Sequence, residues 1–296
     1  MSLSTLGIFI ATHGDARLLR TLHSIMTQKL IPGDDIIIVG DGFHQWTADT
    51  VNAMGAPFRY VPIQQTRDWG HTQGNYGIEN VGGDYIMGQD HDDIYLPRAF
   101  EKLRAGILSS PPNQPLMVRV RTPELGILWT APAQGLFDGH CLVAPNDKTK
   151  IGRLTSAYDG DQNLIMDTLR NFGKCGWYDI VTVLTRPKWK LWPYPQEVDR
   201  GWKWLFLNED MSIPLGSLSL EYVADRLFAS WSPQITREAW REITEFMLWS
   251  AQGETLYFNP QSDGQKQFLL DMGFRFERSG TMYIYWPPDE TLWRAT

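Results

Sequence analysis

Cysteine is scarce, with only Cys141 and Cys175 in 296 residues. Neither belongs to a spaced ligand motif, and both stand in strand-like apolar contexts. They read as buried free thiols suited to a reducing cytosol rather than as a disulfide. Long apolar runs are missing too. Nothing approaches the ~18 consecutive apolar residues of a membrane span, and the first residues lack the basic and apolar regions of a secretory signal. We therefore expect a soluble, cytoplasmic protein without a membrane span. Basic residues are outnumbered, 27 Lys and Arg against 34 Asp and Glu, for a net charge of -7. That balance disfavours a broad phosphate-backbone surface, so nucleic acid is not the expected partner. Internal repeats and low-complexity segments are absent. A hydrophobic content of 43% still permits a sizeable core.

What is present is an alternation of apolar runs and helical patterns. Leu6 to Ala11 predicts a strand, and Leu18, Leu19, Leu22, Ile25 and Met26 fall on one face of a following helix. The strand Asp35 to Val39 runs into the turn Gly40-Asp41-Gly42. A short helix, a strand near 58–61, a helix near 72–81 and the strand Tyr85 to Gly88 continue the series. Such repetition predicts an α/β fold with a parallel sheet flanked by helices, whose ligands bind beyond the carboxyl ends of the strands. Thr12 to Asp15, Asp41 and Asp90 to Asp93 would then border one crevice. The last group, Asp90, His91, Asp92 and Asp93, crowds acidic and metal-capable side chains at one strand end. A hard divalent cation holding a polyphosphate is the usual compensation. The competing reading is a solvated turn whose Asp side chains cap the helix beginning near Pro97.

The run IATHGDARLLRTLHSIMTQ, then DIIIVGDG, then GNYGIENVGGDYIMGQDHDDIYLP, resembles the nucleotide-diphosphosugar domain of family 2 inverting glycosyltransferases, which have the GT-A fold. The likeness covers roughly residues 6–186. It implies a nucleotide site, usually for uridine, lined by Thr12, His13, Asp15, Asp41, Arg67, Asp90 and His91. It also implies a DxD motif of Asp90 and Asp92, with Asp92 the principal ligand of Mn²⁺ or Mg²⁺ and Asp93 the adjacent acid. Asp41 as an acceptor can select uracil through the imide N–H, which cytosine lacks. Oxygen ligands suit Mg²⁺ or Mn²⁺ better than zinc. The chain departs from the family pattern at His13-Gly14 and at Gly40-Asp41, where two acids are common. Trp69 and His71 stand where a basic residue is often found; Arg67 is near enough to substitute. Trp69 stacks on the base, or packs in the core or as a lid.

Further along, SAYDGDQNLIMDTLRNFGKCGWYDIVTVLTR predicts a loop, a helix and a strand. The resemblance implies that Asp161, at the helix start, is the catalytic base on the acceptor hydroxyl. A helix-capping role competes with that, and Asp159 is the fallback. His140, ahead of an expected strand near the sheet edge, is either close to the metal and diphosphate or structural.

Past Arg186 the texture changes. A Pro- and Trp-rich connection precedes an amphipathic helix marked by Ile235, Ala239, Trp240, Ile243, Phe246 and Met247. A strand near 255–258, a helix near 264–272 and a hairpin close the chain, and residues 259–286 faintly resemble the last third of an N-acetyltransferase fold. We expect two domains: 1–186, which binds the nucleotide sugar and catalyses, and 187–296, a smaller α+β accessory domain with an acceptor-binding role open. The function expected is metal-dependent transfer of a sugar from a nucleotide diphosphate to an acceptor hydroxyl, and a modified-base acceptor stays open. Two alternatives remain: a nucleotidyltransferase, whose Gly-rich basic phosphate loop is missing from Ala11 to Leu18, and a non-catalytic nucleotide- or carbohydrate-binding module.

Overall fold

The structure is a computed structural model. It describes residues 3–66, 68–122, 126–128, 137–155, 160–186, 192–196, 202–207, 214–223, 226–231, 255–271, 274–276 and 282–285. The chain forms two compact units, Met1–Pro187 and Lys188–Thr296.

In the first unit, strands β1 (Leu6–Thr12), β2 (Asp35–Asp41), β3 (Phe58–Ile63) and β4 (Tyr85–Asp90) alternate with helices α1 (Leu18–Met26), α2 (Gln45–Met54) and α3 (His71–Asn80). Next come β5 (Ile94–Tyr95), α4 (Ala99–Ser109), β6 (Leu116–Thr122), β7 (Gly126–Leu128), β8 (Leu142–Pro145), α5 (Gly160–Phe172) and β9 (Gly176–Leu184). The sheet order is β3-β2-β1-β4-β8-β6-β9-β5, with β7 paired to β6. The run β3-β2-β1-β4 is parallel throughout. Beyond β4 the sheet is mixed, since β8 runs antiparallel to both β4 and β6.

β1 and β2 read as continuous apolar runs because helices cover both faces, and Ile8, Ile10, Ile36, Ile37 and Ile38 have no solvent exposure. α1 carries polar groups on the side that meets the acidic turn. Thr21 Oγ1 lies 2.9 Å from the His91 carbonyl and 2.7 Å from that of Asp93, sharing one proton between them. Gln28 donates to the Leu96 carbonyl at 3.0 Å and accepts from the Phe100 amide at 3.2 Å. These bonds satisfy backbone groups that a buried turn would otherwise strand.

Two expectations need correction. β8 lies inside the sheet between β4 and β6, not near its edge, so His140 just before it stands at the centre of the crevice. Neither cysteine is in a strand: Cys141 ends a 3-10 turn, Gly139–Cys141, and Cys175 precedes β9. Both are free thiols, Cys141 buried and Cys175 half-buried. The apolar neighbours that suggested strands belong to β8 and β9 themselves.

The second unit holds β10 (Trp192–Gln196), β11 (Trp202–Leu207), β12 (Pro214–Val223), β13 (Arg226–Trp231), β14 (Thr255–Phe258), helix α6 (Asp263–Asp271), β15 (Arg275–Phe276) and β16 (Met282–Tyr285). Their order is β10-β11-β12-β13-β14-β16-β15. Among the described residues of this unit, only β13 and β14 pair in parallel. The Pro- and Trp-rich connection is in part β10, an edge strand, where Pro193 and Pro195 are tolerated because their missing N–H groups face no neighbour. The expected helix near 235–247 lies outside the described residues.

Candidate active site

The carboxyl ends of β1, β2 and β4 meet along one crevice, as the parallel order requires. After β1, buried Thr12 accepts the Gly14 amide at 3.1 Å. Gly14 has φ +86, and a Cβ there would lie 2.6 Å from the His44 ring, so only glycine makes this bend. His13 is exposed and its ring centroid is 4.6 Å from that of His91. Asp15 accepts from Arg17 Nε at 3.0 Å and Nη2 at 2.9 Å. The Arg17 hydrogen bond outweighs the burial that opposes it and lowers the Asp15 carboxyl to about 2. The other arm of Arg17 reaches Asp92 Oδ2 at 2.6 Å.

At the end of β2, Asp41 Oδ1 accepts from the Thr66 amide at 2.7 Å and from Gln73 Nε2 at 2.6 Å. Gln73 is fully buried on α3, and its Oε1 has no hydrogen-bond partner. Sequence reading missed Gln73, although its place two positions into the predicted helix, beside Trp69 and His71, was a usable signal. Trp69 is 75% exposed with φ +59, ahead of α3. Arg67 and Asp159 lie outside the described residues.

The densest chemistry lies between β4, the turn before β8 and the start of α5. His140 is buried, and its Nδ1 bonds to Asp138. Its Nε2 is 3.0 Å from the Asp90 amide and 3.0 Å from Asp93 Oδ2. Nε2 cannot both accept the Asp90 N–H and carry a hydrogen toward Asp93. Asp93 is buried, its other oxygen takes the Arg186 amide at 2.7 Å, and desolvation raises its pKa against the pull of His140. Burial would lower His140, but Asp138 and Asp93 together raise it well above its ordinary value.

Asp90 reaches solvent inside the crevice, yet its carboxyl is pushed up to about 8. Desolvation by the crevice walls is the main cause, His140 opposes it, and Asp93, Asp138 and Asp161 add to it. Asp161, in the first turn of α5, is raised by desolvation and then by Asp138, while His140, His71 and the Gly139 amide pull it back. A Cβ at Gly139 would sit 3.2 Å from the Asp161 carboxyl carbon, so glycine keeps this approach open. Asp161 thus bonds across the crevice to the turn before β8. Asp138 is a second residue the sequence reading missed; an Asp two places before a His was its signal. Burial pushes Asp138 up, but His140 outweighs it through charge and hydrogen bonds, leaving it below the ordinary carboxylate range.

Four carboxyl groups around one imidazole leave negative charge that a divalent cation would compensate. Ligand atoms of Asp90, Asp93 and His140 lie within 4.8 Å of one another, so the residues fit a cation. Both His140 nitrogens already have partners, which favours the carboxylates as ligands.

The chain is similar to solved structures of S. aureus TarS. One covers 62% of this chain and 37% of that chain, at 11% identity and a TM-score of 0.51. The structure of TarS 1–349 covers 61% and 60% at 13% identity, and its complex with UDP-GlcNAc covers 61% and 58% at 11%, both with a TM-score of 0.51. The chain therefore spans less than two thirds of the length of these structures. No curated protein matches it. Residues 8–155 match the model of glycosyl transferase family 2, half of the 296-residue chain. With the strand order, the crevice and this match together, the chain has the GT-A fold and belongs to glycosyl transferase family 2.

Proposed function

We propose that this chain transfers a sugar, with inversion, from a uridine diphosphate sugar to an acceptor hydroxyl in the cytosol, using Mn²⁺ or Mg²⁺ held by Asp92 and Asp90. The observation that carries this is the approach of Asp161 to the group of Asp90, Asp93, Asp138 and His140 within one crevice. Burial and Asp138 raise Asp161, which makes its ionised form a stronger base. It takes the proton of the acceptor hydroxyl as that oxygen attacks the anomeric carbon from the face opposite the diphosphate. Asp41, its Oδ1 fixed by Thr66 and Gln73, receives the uracil imide N–H. Thr12, His13, Asp15, Arg67 and His91 line the nucleotide, and Trp69 offers an exposed ring beside it. When bound, the cation stabilises charge that builds on the departing diphosphate. UDP-GlcNAc bound to the TarS relative supports the uridine part. Residues 187–296 serve as an accessory unit for the acceptor.

Incubating the chain with a panel of nucleotide sugars and Mn²⁺ tests this reading. Release of nucleoside diphosphate is expected. Release of pyrophosphate would assign a nucleotidyltransferase, and binding without release a non-catalytic module. Calorimetry with UDP should show cation-dependent affinity that Asp92→Ala removes; unchanged affinity would take Asp92 out of the cation site.

A further inference from the structure

We propose that His13, Asp15 and His91 form a second cation site, separate from the carboxylate group around His140, that takes a borderline transition metal of the zinc class. One ligand atom from each of the three lies within 4.8 Å of the other two. The His13 and His91 rings are 4.6 Å apart and tilted by 53°. Zn²⁺ binds imidazole nitrogen at about 2.0–2.1 Å, and His13, being exposed, has room for its side chain to move toward the other two.

Three further observations point to a ligand. His91 Nε2 is closed off from solvent and has no hydrogen-bond partner, so the ring has polar capacity that its surroundings leave unused. The backbone on both sides is pinned, by the Thr12 hydroxyl to the Gly14 amide at 3.1 Å and by Thr21 to the His91 carbonyl at 2.9 Å. The Asp15 carboxylate is held by Arg17 through the backbone amide at 2.8 Å, Nε at 3.0 Å and Nη2 at 2.9 Å. Those bonds leave a lone pair on Oδ2 and orient it, as outer hydrogen bonds do for ligating carboxylates. Arg17 also spans to Asp92, so its charge is shared by two carboxylates and the repulsion toward a cation is reduced.

Ligand chemistry separates the two sites. Carboxylates alone suit Mg²⁺ or Mn²⁺, whereas two imidazoles and one carboxylate suit Zn²⁺, Co²⁺ or Ni²⁺. A metal here would tie the loop after β1 to the turn after β4, two of the strand ends that border the crevice.

The test uses chelator-stripped protein, Zn²⁺ titrated by calorimetry and Co²⁺ followed by visible absorption. One Zn²⁺ per chain is expected, with Co²⁺ bands characteristic of a nitrogen- and oxygen-ligated site. His13→Ala and His91→Ala should each weaken Zn²⁺ by more than the roughly 100-fold that is the upper range for loss of an outer partner. Asp90→Asn should leave Zn²⁺ affinity unchanged. Absence of Zn²⁺ binding, wild-type affinity in the histidine variants, or loss of binding in Asp90→Asn would each overturn the proposal. His13 is exposed, so its variant decides the question if His91→Ala fails to fold by circular dichroism. The same three side chains border the proposed nucleotide site, so the zinc titration is run without nucleotide, and UDP with Mn²⁺ tests the transferase reading separately.

Discussion

The two edges of the main sheet treat carboxylates in opposite ways. At the amino ends of the strands every acid named here has its partners. Asp34 is held by Arg104 at 2.5 and 2.7 Å and by the Leu6 and Ile31 amides. Asp35 takes Arg59 at 2.8 and 3.0 Å, and Asp84 takes the Thr5 amide and hydroxyl. At the carboxyl ends Asp90, Asp93, Asp138 and Asp161 share one histidine, and three of the four have raised pKa values. A folding requirement alone would favour the first arrangement. The second is a cost retained for chemistry, as strained or perturbed groups at sites generally are.

The contrast breaks most visibly in activity. Asp161→Asn should lower transfer by roughly 10²–10⁴-fold while barely changing UDP affinity. Turnover within a few-fold of wild type would reduce Asp161 to a helix-start residue, and simultaneous loss of binding and turnover would mean it holds the fold.

The opposite edge should break in stability. Arg104→Leu leaves Asp34 buried and unpaired, which costs about 3–5 kcal/mol by chemical denaturation. Asp90→Asn, measured the same way without divalent cation, should cost nothing or stabilise. Equal losses in both would erase the distinction between the edges.

Asp41→Ala should weaken UDP binding by about 1.5–3 kcal/mol and narrow the preference over CDP. Gln73→Leu removes one of the bonds orienting that carboxylate and should produce a smaller loss of the same preference, about 1 kcal/mol. A wild-type preference for GDP would already contradict the uridine reading.

The smallest effect is a slope. Asp90, Asp93 and Asp161 are raised in the folded chain, so between the unfolded carboxylate range near pH 4 and about 8 the native state holds more protons than the unfolded state. Their contribution is greatest at the acidic end and is lost as pH rises through the folded values. The melting temperature of cation-free protein should therefore fall from about pH 5 to about pH 8.5, and Asp90→Asn should flatten that fall. A melting temperature that rises across this window would contradict the assignment.

Much of the first half was legible because local pattern and sheet topology agree. β1, β2 and α1 carry their burial in their own periodicity, and the parallel order then brings Thr12, Asp41 and Asp90 to one edge. Less could be read after β4. The place of β8 inside the sheet depends on pairing with β4 and β6, which no local pattern encodes. His140 therefore looked peripheral, and Asp138 was missed. Gln73 was missed for a similar reason: its importance lies in a 2.6 Å bond to a residue 32 positions away. Arg17 joins Asp15 to Asp92 across an even longer separation.

The borders of the second sheet also have a consequence for the chain's behaviour in a crowded solution. A sheet grows by adding a strand to a free rim, and that is how many β-rich proteins polymerise. Among the described residues one rim is β10, where two prolines remove alternate donors, and the other is β15, only two residues long. Both described rims offer a neighbouring chain little to pair with, which blunts them against fibril-like stacking.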